Sequence, residues 1–198
     1  MDHRIQVVIL QHPQEENHEL STARLAHLAL KDSKLGIGLS WANLEKAVGK
    51  KVDPKRWVVL HLSGQKGGIE SKKWSDPVQN TLLFQKKGGD FVDPHSAEHQ
   101  ETLAALEGIV ILDGNWKQAK ALWWRNAWLL KLRRASILPK SRSLYADLRR
   151  EPRRECLSSL ESLAIALEIL GEPPETSQTL TGLMKRLLEK KRSANRAD

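Results

Sequence analysis

Cysteine is nearly missing from this sequence. Cys156 is the single one in 198 residues, which excludes an internal disulfide and any zinc site built from clustered cysteines. A lone cysteine of this kind is read as a small packing residue and is given no catalytic role. Long apolar runs are also absent. No stretch approaches the roughly 20 apolar residues that span a bilayer, and Met1-Asp2-His3-Arg4 lacks the charged-then-apolar profile of an export signal. The expectation is a cytoplasmic protein with no membrane partner and no metal. No internal repeat is visible. Acidic residues are the minority: 24 Asp and Glu stand against 32 Lys and Arg, a net charge of +8, which points to an anionic polymer as partner.

What is present suffices for one well-packed core, since 40% of the residues are hydrophobic. One domain over residues 1–189 is expected, followed by a charged, disordered tail at 190–198. Short apolar runs alternate with helical patterns. Strands are expected at 5–10, 35–39, 57–62 and 108–112, with a further candidate at 82–84; helices are expected at 21–30, 97–106, 161–170 and 177–189. Such alternation predicts an α/β fold with a single open, mostly parallel sheet and flanking helices.

The most informative segment is Asp113-Gly114-Asn115-Trp116. The run Gly108-Ile109-Val110-Ile111-Leu112 reads as a strand buried on both faces, and Asp-Gly reverses the chain at its end. Asp113 then lies at the carboxyl end of a strand, where open α/β sheets collect their ligands. It can equally be the cap of the helix that follows. That helix is expected to run to about residue 130, because Trp116, Ala119, Leu122, Trp123, Ala127 and Leu130 recur at helical spacing opposite basic positions. Of seven tryptophans, Trp116, Trp123, Trp124 and Trp128 fall here, to be read as core residues or as surfaces that stack on bases. Basic residues from Lys117 to Arg154 follow the turn closely, as a solvated face or as a surface that meets phosphates.

Three blocks resemble the DTW-domain proteins, which are tRNA-uridine aminocarboxypropyltransferases. The first is Ile9-Leu10-Gln11-His12-Pro13-Gln14-Glu15 with Ser21-Thr22-Ala23-Arg24-Leu25. The second is Leu112-Asp113-Gly114-Asn115-Trp116 with Ala119 and Lys120. The third is Leu148-Arg149-Arg150-Glu151-Pro152 leading into Cys156-Leu157-Ser158-Ser159-Leu160-Glu161. Asn115 stands where the family commonly has Thr, and Ser159 and Ser162 replace its usual Thr and Ala. The cysteine-rich amino-terminal metal element of many members is missing, which leaves the particular RNA target open.

The resemblance implies a SPOUT-like fold, one that can carry a deep carboxy-terminal knot, here threaded around residues 136–148. It implies transfer of the 3-amino-3-carboxypropyl group of S-adenosylmethionine to N3 of a uridine in tRNA, releasing methylthioadenosine. Uridine N3 is a weak acid and needs a base, for which Asp113 is the candidate, its proton affinity raised by burial beside Trp116. The donor is expected against Leu60, His61, Gly64, Leu112, Gly114, Trp116, Leu138 and Leu144. Its carboxylate needs a cationic or amide clamp, from Arg24 or Arg149 and from the helix start after Gly114; Arg24 also has the alternative of an ordinary surface pair. Lys117, Lys120 and Arg150 complete the substrate-binding set. His12 and His61 stay outside the catalytic assignment. A methyltransferase using the same donor, or a catalytically silent RNA-binding module, are the competing readings.

Overall fold

The structure, a computed structural model, describes residues 2–17, 21–60, 80–139, 144 and 157–194. Its strands are β1 (Gln6–Gln11), β2 (Ser33–Ile37), β3 (Trp57–Leu60), β4 (Thr81–Gln85), β5 (Gly108–Asp113) and β6 (Arg133–Leu138). They form one six-stranded sheet in the order β2-β1-β5-β3-β6-β4. Every pairing is parallel except that of β4, which closes one edge antiparallel to β6.

Strands β1 and β5 lie inside the sheet and are covered on both faces, which is why their sequences are continuous apolar runs and not alternating ones. On one face Val7, Ile9 and Ile109 meet α1 (Thr22–Ala29), α5 (Ser159–Ile169) and α6 (Pro174–Ala194) through Ala23, Ala26, Leu163, Leu167 and Met184. On the other, Val8, Leu10 and Val110 meet α2 (Leu44–Val48) and the 3-10 turn Ala127–Lys131 through Leu44, Val48, Trp128 and Leu129. That turn follows α4 (Trp116–Arg125), while α3 (Ala97–Ala105) leads into β5. Glycine at 108 has a packing reason. Its register partner is Trp57, and a Cβ there would sit 2.5 Å from the indole ring.

Several expectations change. Strand β6 was hidden because Arg133 and Arg134 begin it and look like solvated surface, whereas Ala135, Ser136, Ile137 and Leu138 are buried. The single helix expected from 116 to about 130 stops at Arg125. Buried Asn126 breaks it: Oδ1 accepts from the Trp41 N–H at 2.8 Å, and Nδ2 donates to the Leu39 and Leu122 carbonyls at 3.0 and 2.7 Å. The four tryptophans of this region divide accordingly. Trp128 is buried and Trp123 packs against the second core, while Trp116 and Trp124 are exposed. Of the segment proposed to thread a knot, Ser136–Leu138 belong to β6, and all of 140–148 except Leu144 lies outside the described residues. Helix α6 continues to Ala194, into the segment read as a tail.

The amino end of the sheet is tied to the last third of the chain. The Glu172 carboxylate accepts the backbone N–H groups of Arg4 at 3.0 and 3.1 Å and of Ile5 at 2.8 Å. The Arg4 guanidinium donates to the Leu106 and Leu170 carbonyls. Among the described residues no helix is long and apolar enough to cross a membrane.

The strand order puts a topological switch between β1 and β5. The chain leaves β1 toward β2 on one side and leaves β5 toward β6 on the other, so the connections diverge and open a crevice at the carboxyl ends of these two neighbours. Gln11 and Asp113 are register partners at that spot.

Candidate active site at the carboxyl ends of the central strands

Asp113 is half-buried at the end of β5. Its Oδ2 accepts a hydrogen bond from Gln11 Nε2 at 2.9 Å, and its Oδ1 accepts a short one from the Ser159 hydroxyl. An ionised carboxylate can only accept, so the Gln11 amide must present its nitrogen. The same nitrogen lies 3.3 Å from Ser21 Oγ. The backbones are joined as well, since the His12 N–H donates to the Asp113 carbonyl at 3.0 Å.

Asp113 does not cap the following helix. Asn115 does, its Oδ1 accepting from the Lys117 and Gln118 N–H groups at 3.0 and 3.1 Å while Gln118 Oε1 accepts from the Asn115 N–H at 2.6 Å. This reciprocal box leaves the Asp113 side chain to face Gln11 and Ser159. Gly114 is needed between them: its φ of +155° is one that L side chains rarely adopt, and a Cβ would meet Gln118 at 2.8 Å. Gln118 also reaches across to Gln14, with Nε2 donating to Oε1 at 3.2 Å.

Three helix starts converge here. Ser21 is the cap of α1, Ser159 is the first residue of α5, and α4 begins three residues after Asp113. Helix α5 is itself fixed by a capping box between Ser158 and Glu161, which frees Ser159 to bond Asp113. Each start carries the positive end of a helix dipole. Such an arrangement suits an anionic group, and a carboxylate of a small ligand is the natural candidate.

The expected donor contacts are distributed along this rim. Leu60, Leu112 and Leu138 stand at or next to the carboxyl ends of β3, β5 and β6, three strands that neighbour one another in the sheet. Leu60 and Leu138 are themselves buried in the core, so only their backbone ends are available to a ligand. Gly114 stands between Asp113 and the Asn115 cap. Leu144 is exposed and its N–H donates to Glu161 Oε1 at 2.6 Å, which ties that residue to the start of α5. Trp116, the first residue of α4, is 57% exposed. Arg24 is exposed in the first turn of α1, whose cap Ser21 is in contact with Gln11. Lys117 and Lys120 are exposed on α4. His61, Gly64, Arg149 and Arg150 lie outside the described residues.

At the opposite, amino-terminal edge Asp2 and Lys31 form an exposed ion pair at 2.9 Å. The Lys31 hydrogen bond holds the Asp2 carboxyl below the usual carboxylate range, and the same bond raises the lysine.

The profile of the DTW domain matches residues 1–192. The chain belongs to the DTW domain family. Among curated relatives, a Drosophila melanogaster protein named tRNA-uridine aminocarboxypropyltransferase 2 is 30% identical over 175 residues, covering 88% of this chain and 60% of that protein. A Macaca fascicularis protein of the same name is 25% identical over 175 residues, 87% of this chain and 50% of its own. The chain thus spans between half and two thirds of the length of these relatives. No solved structure matches it.

Family membership gives the site a simple reading. The three DTW blocks, about 100 and 45 residues apart, supply Gln11 and Ser21, Asp113, and Ser159, and these four side chains form one hydrogen-bonded chain. Two of the family departures fall at this site, one within the chain and one in the helix cap beside Asp113, and both keep its chemistry. Ser159 retains the hydroxyl that a threonine would offer to Asp113, and Asn115 retains a side-chain oxygen able to cap a helix. Gln11 was missed by sequence reasoning. The signal was present: a polar residue ends an apolar run and is 1% exposed, a combination that demands a partner.

Proposed function

We propose that this DTW-domain protein transfers the 3-amino-3-carboxypropyl group of S-adenosylmethionine to N3 of a uridine in tRNA. The observation that carries the proposal is the hydrogen-bonded chain Ser21–Gln11–Asp113–Ser159 at the switch point of the sheet, ringed by three helix starts. The names of the relatives support aminocarboxypropyl transfer to a tRNA uridine. The donor, when bound, supplies an electrophilic carbon beside a sulfonium. Its carboxylate fits the ring of helix N-termini, with Arg24 in the first turn of α1 as a cationic partner. Its adenosine is held by the strand-end backbone at Leu60, Leu112 and Leu138 and by Leu144. SPOUT-type kinship belongs to this proposal, resting on the family resemblance, as does a single domain acting in the cytoplasm.

Asp113 is assigned the proton of uridine N3. As that proton moves to the carboxylate, the N3 lone pair forms a bond to the carbon, the carbon–sulfur bond breaks, and its electron pair goes to sulfur, leaving the neutral thioether methylthioadenosine. Gln11 and Ser159 hold the carboxylate in one orientation, so its reach does not depend on the motion of a free side chain. Attack of an anion on a sulfonium destroys charge, and a site that excludes water favours it.

The deciding experiment incubates an unmodified tRNA pool with the protein and S-adenosylmethionine and reads nucleosides and small molecules by mass spectrometry. Aminocarboxypropyl-uridine together with methylthioadenosine, both lost in Asp113→Asn, is expected. Methylated RNA with S-adenosylhomocysteine would replace this proposal with a methyltransferase.

A further inference from the structure

The excess positive charge of this chain is confined to one stretch. Residues 114–146 contain eight of the 32 basic residues and none of the 24 acidic ones, so the remainder of the chain is balanced. Helix α4 opens that stretch. At about 100° per residue, Trp116, Lys120, Trp124 and Lys117 fall within one arc of the helix, opposite the buried Gln118 and Leu122. Trp116 is 57% exposed and Trp124 is 72% exposed, and both lysines are exposed. Trp123 and Trp128, by contrast, pack into the second core. Trp116, Lys120 and Trp124 follow one another at intervals of four residues, a row about 12 Å long at about 1.5 Å per residue.

We propose that this face of α4 is a stacking platform for unpaired nucleotides flanking the uridine that reacts. The inference rests on the reading of the chain as an RNA-modifying transferase and deepens it by naming where the strand lies. An indole offers a π-face to any base, and a lysine between two indoles meets the phosphates that link the stacked bases. The row has the length of about three to four nucleotides at roughly 3.4 Å each. Its first member is three residues from Asp113, so a strand on this face delivers its next base to the crevice between β1 and β5. A face with two exposed lysines, in a stretch without acidic residues from 114 to 146, is complementary to an RNA backbone. Trp116 on this reading serves the nucleic acid and not the donor.

The test measures binding of fluorescently labelled tRNA, and of a uridine-rich single-stranded oligonucleotide, by anisotropy for the parent, Trp124→Ala, Trp124→Phe and Lys120→Ala. Trp124→Ala is expected to weaken both by about 5- to 150-fold, the range of one lost stacking contact. Trp124→Phe, which keeps an aromatic face, is expected to stay within about threefold of the parent. S-adenosylmethionine affinity by calorimetry and the melting temperature are expected to be unchanged in Trp124→Ala, because the ring is mostly in water. Parent-like RNA affinity in both alanine variants would overturn the platform while leaving the transferase reading standing. A change of oligomeric state in Trp124→Ala with RNA affinity intact would overturn it too, making the face a contact between copies. Loss of RNA binding in Trp124→Ala, in a parent that makes no aminocarboxypropyl-uridine, would support the platform and remove the enzyme reading.

Discussion

Replacing Gln11 by Glu puts a second carboxylate against Asp113. The present contact is 2.9 Å, from Nε2 to Oδ2. Two ionised carboxylates at that distance repel by about 6 kcal/mol at an effective dielectric constant of about 20. Holding one proton between them is cheaper. Against an ordinary Glu value of about 4.3, keeping a carboxyl protonated at about pH 7 costs roughly 4 kcal/mol, at about 1.4 kcal/mol per unit. The variant therefore folds with a shared proton, and the new O–H takes the place of the lost amide N–H. The sign follows from proton counting. Above the unfolded value the folded variant binds more protons than the unfolded chain, so its stability falls as pH rises, by about 1.4 kcal/mol per unit. Below about pH 4 the penalty disappears. Urea unfolding of the parent and Gln11→Glu at about pH 5, 6 and 7 is expected to show a gap that widens at that rate. Gln11→Leu, which removes the donor without adding a titrating group, is expected to lose about 1.5–3 kcal/mol with no such slope. A Gln11→Glu gap that stayed constant with pH would refute the adjacency of these two side chains.

Three other outcomes are expected. Ser159→Ala should lower kcat/KM for aminocarboxypropyl transfer by about 10- to 150-fold, the range of one hydrogen bond to a charged group, and Ser159→Thr should remain near the parent because it keeps the hydroxyl. Gly108→Ala should lose about 1–3 kcal/mol in thermal or urea unfolding, since its Cβ would sit 2.5 Å from the Trp57 ring; a neutral result would contradict the packing of β3 against β5. Affinity for tRNA should fall steeply with salt, each phosphate contact adding roughly 0.7–0.9 to the log–log slope, and a salt-insensitive affinity would tell against a basic RNA-binding face.

The central strands were legible because burial on both faces writes itself as an unbroken apolar run, as in Val7-Val8-Ile9-Leu10 and Ile109-Val110-Ile111. Strand β6 was not, because its first two residues are arginines and only the last four are buried. Helix α2 was not, because five residues are too few to display a period. The break at Asn126 depends on carbonyls and an N–H contributed by residues 39–41, contacts that no local pattern announces. In the site, the position of Asp113 could be read from the strand and the Asp-Gly turn, yet a cap and a ligand-facing carboxylate look alike until Asn115 is seen to close the helix. The partners of Asp113 come from 102 residues before it and 46 after it, a proximity created by the sheet order alone.

The clasp between Glu172 and the start of β1 bears on how the chain is made. Strand β1 emerges from the ribosome well before its inner neighbour β5, which ends at residue 113, and before residue 172, whose carboxylate holds its leading amides. At about 5–20 residues per second, that strand waits on the order of ten seconds with unpaired apolar surface. The segment that comes to line the candidate crevice is thus long exposed to wrong partners, and a helper that shields nascent apolar strands would act on it.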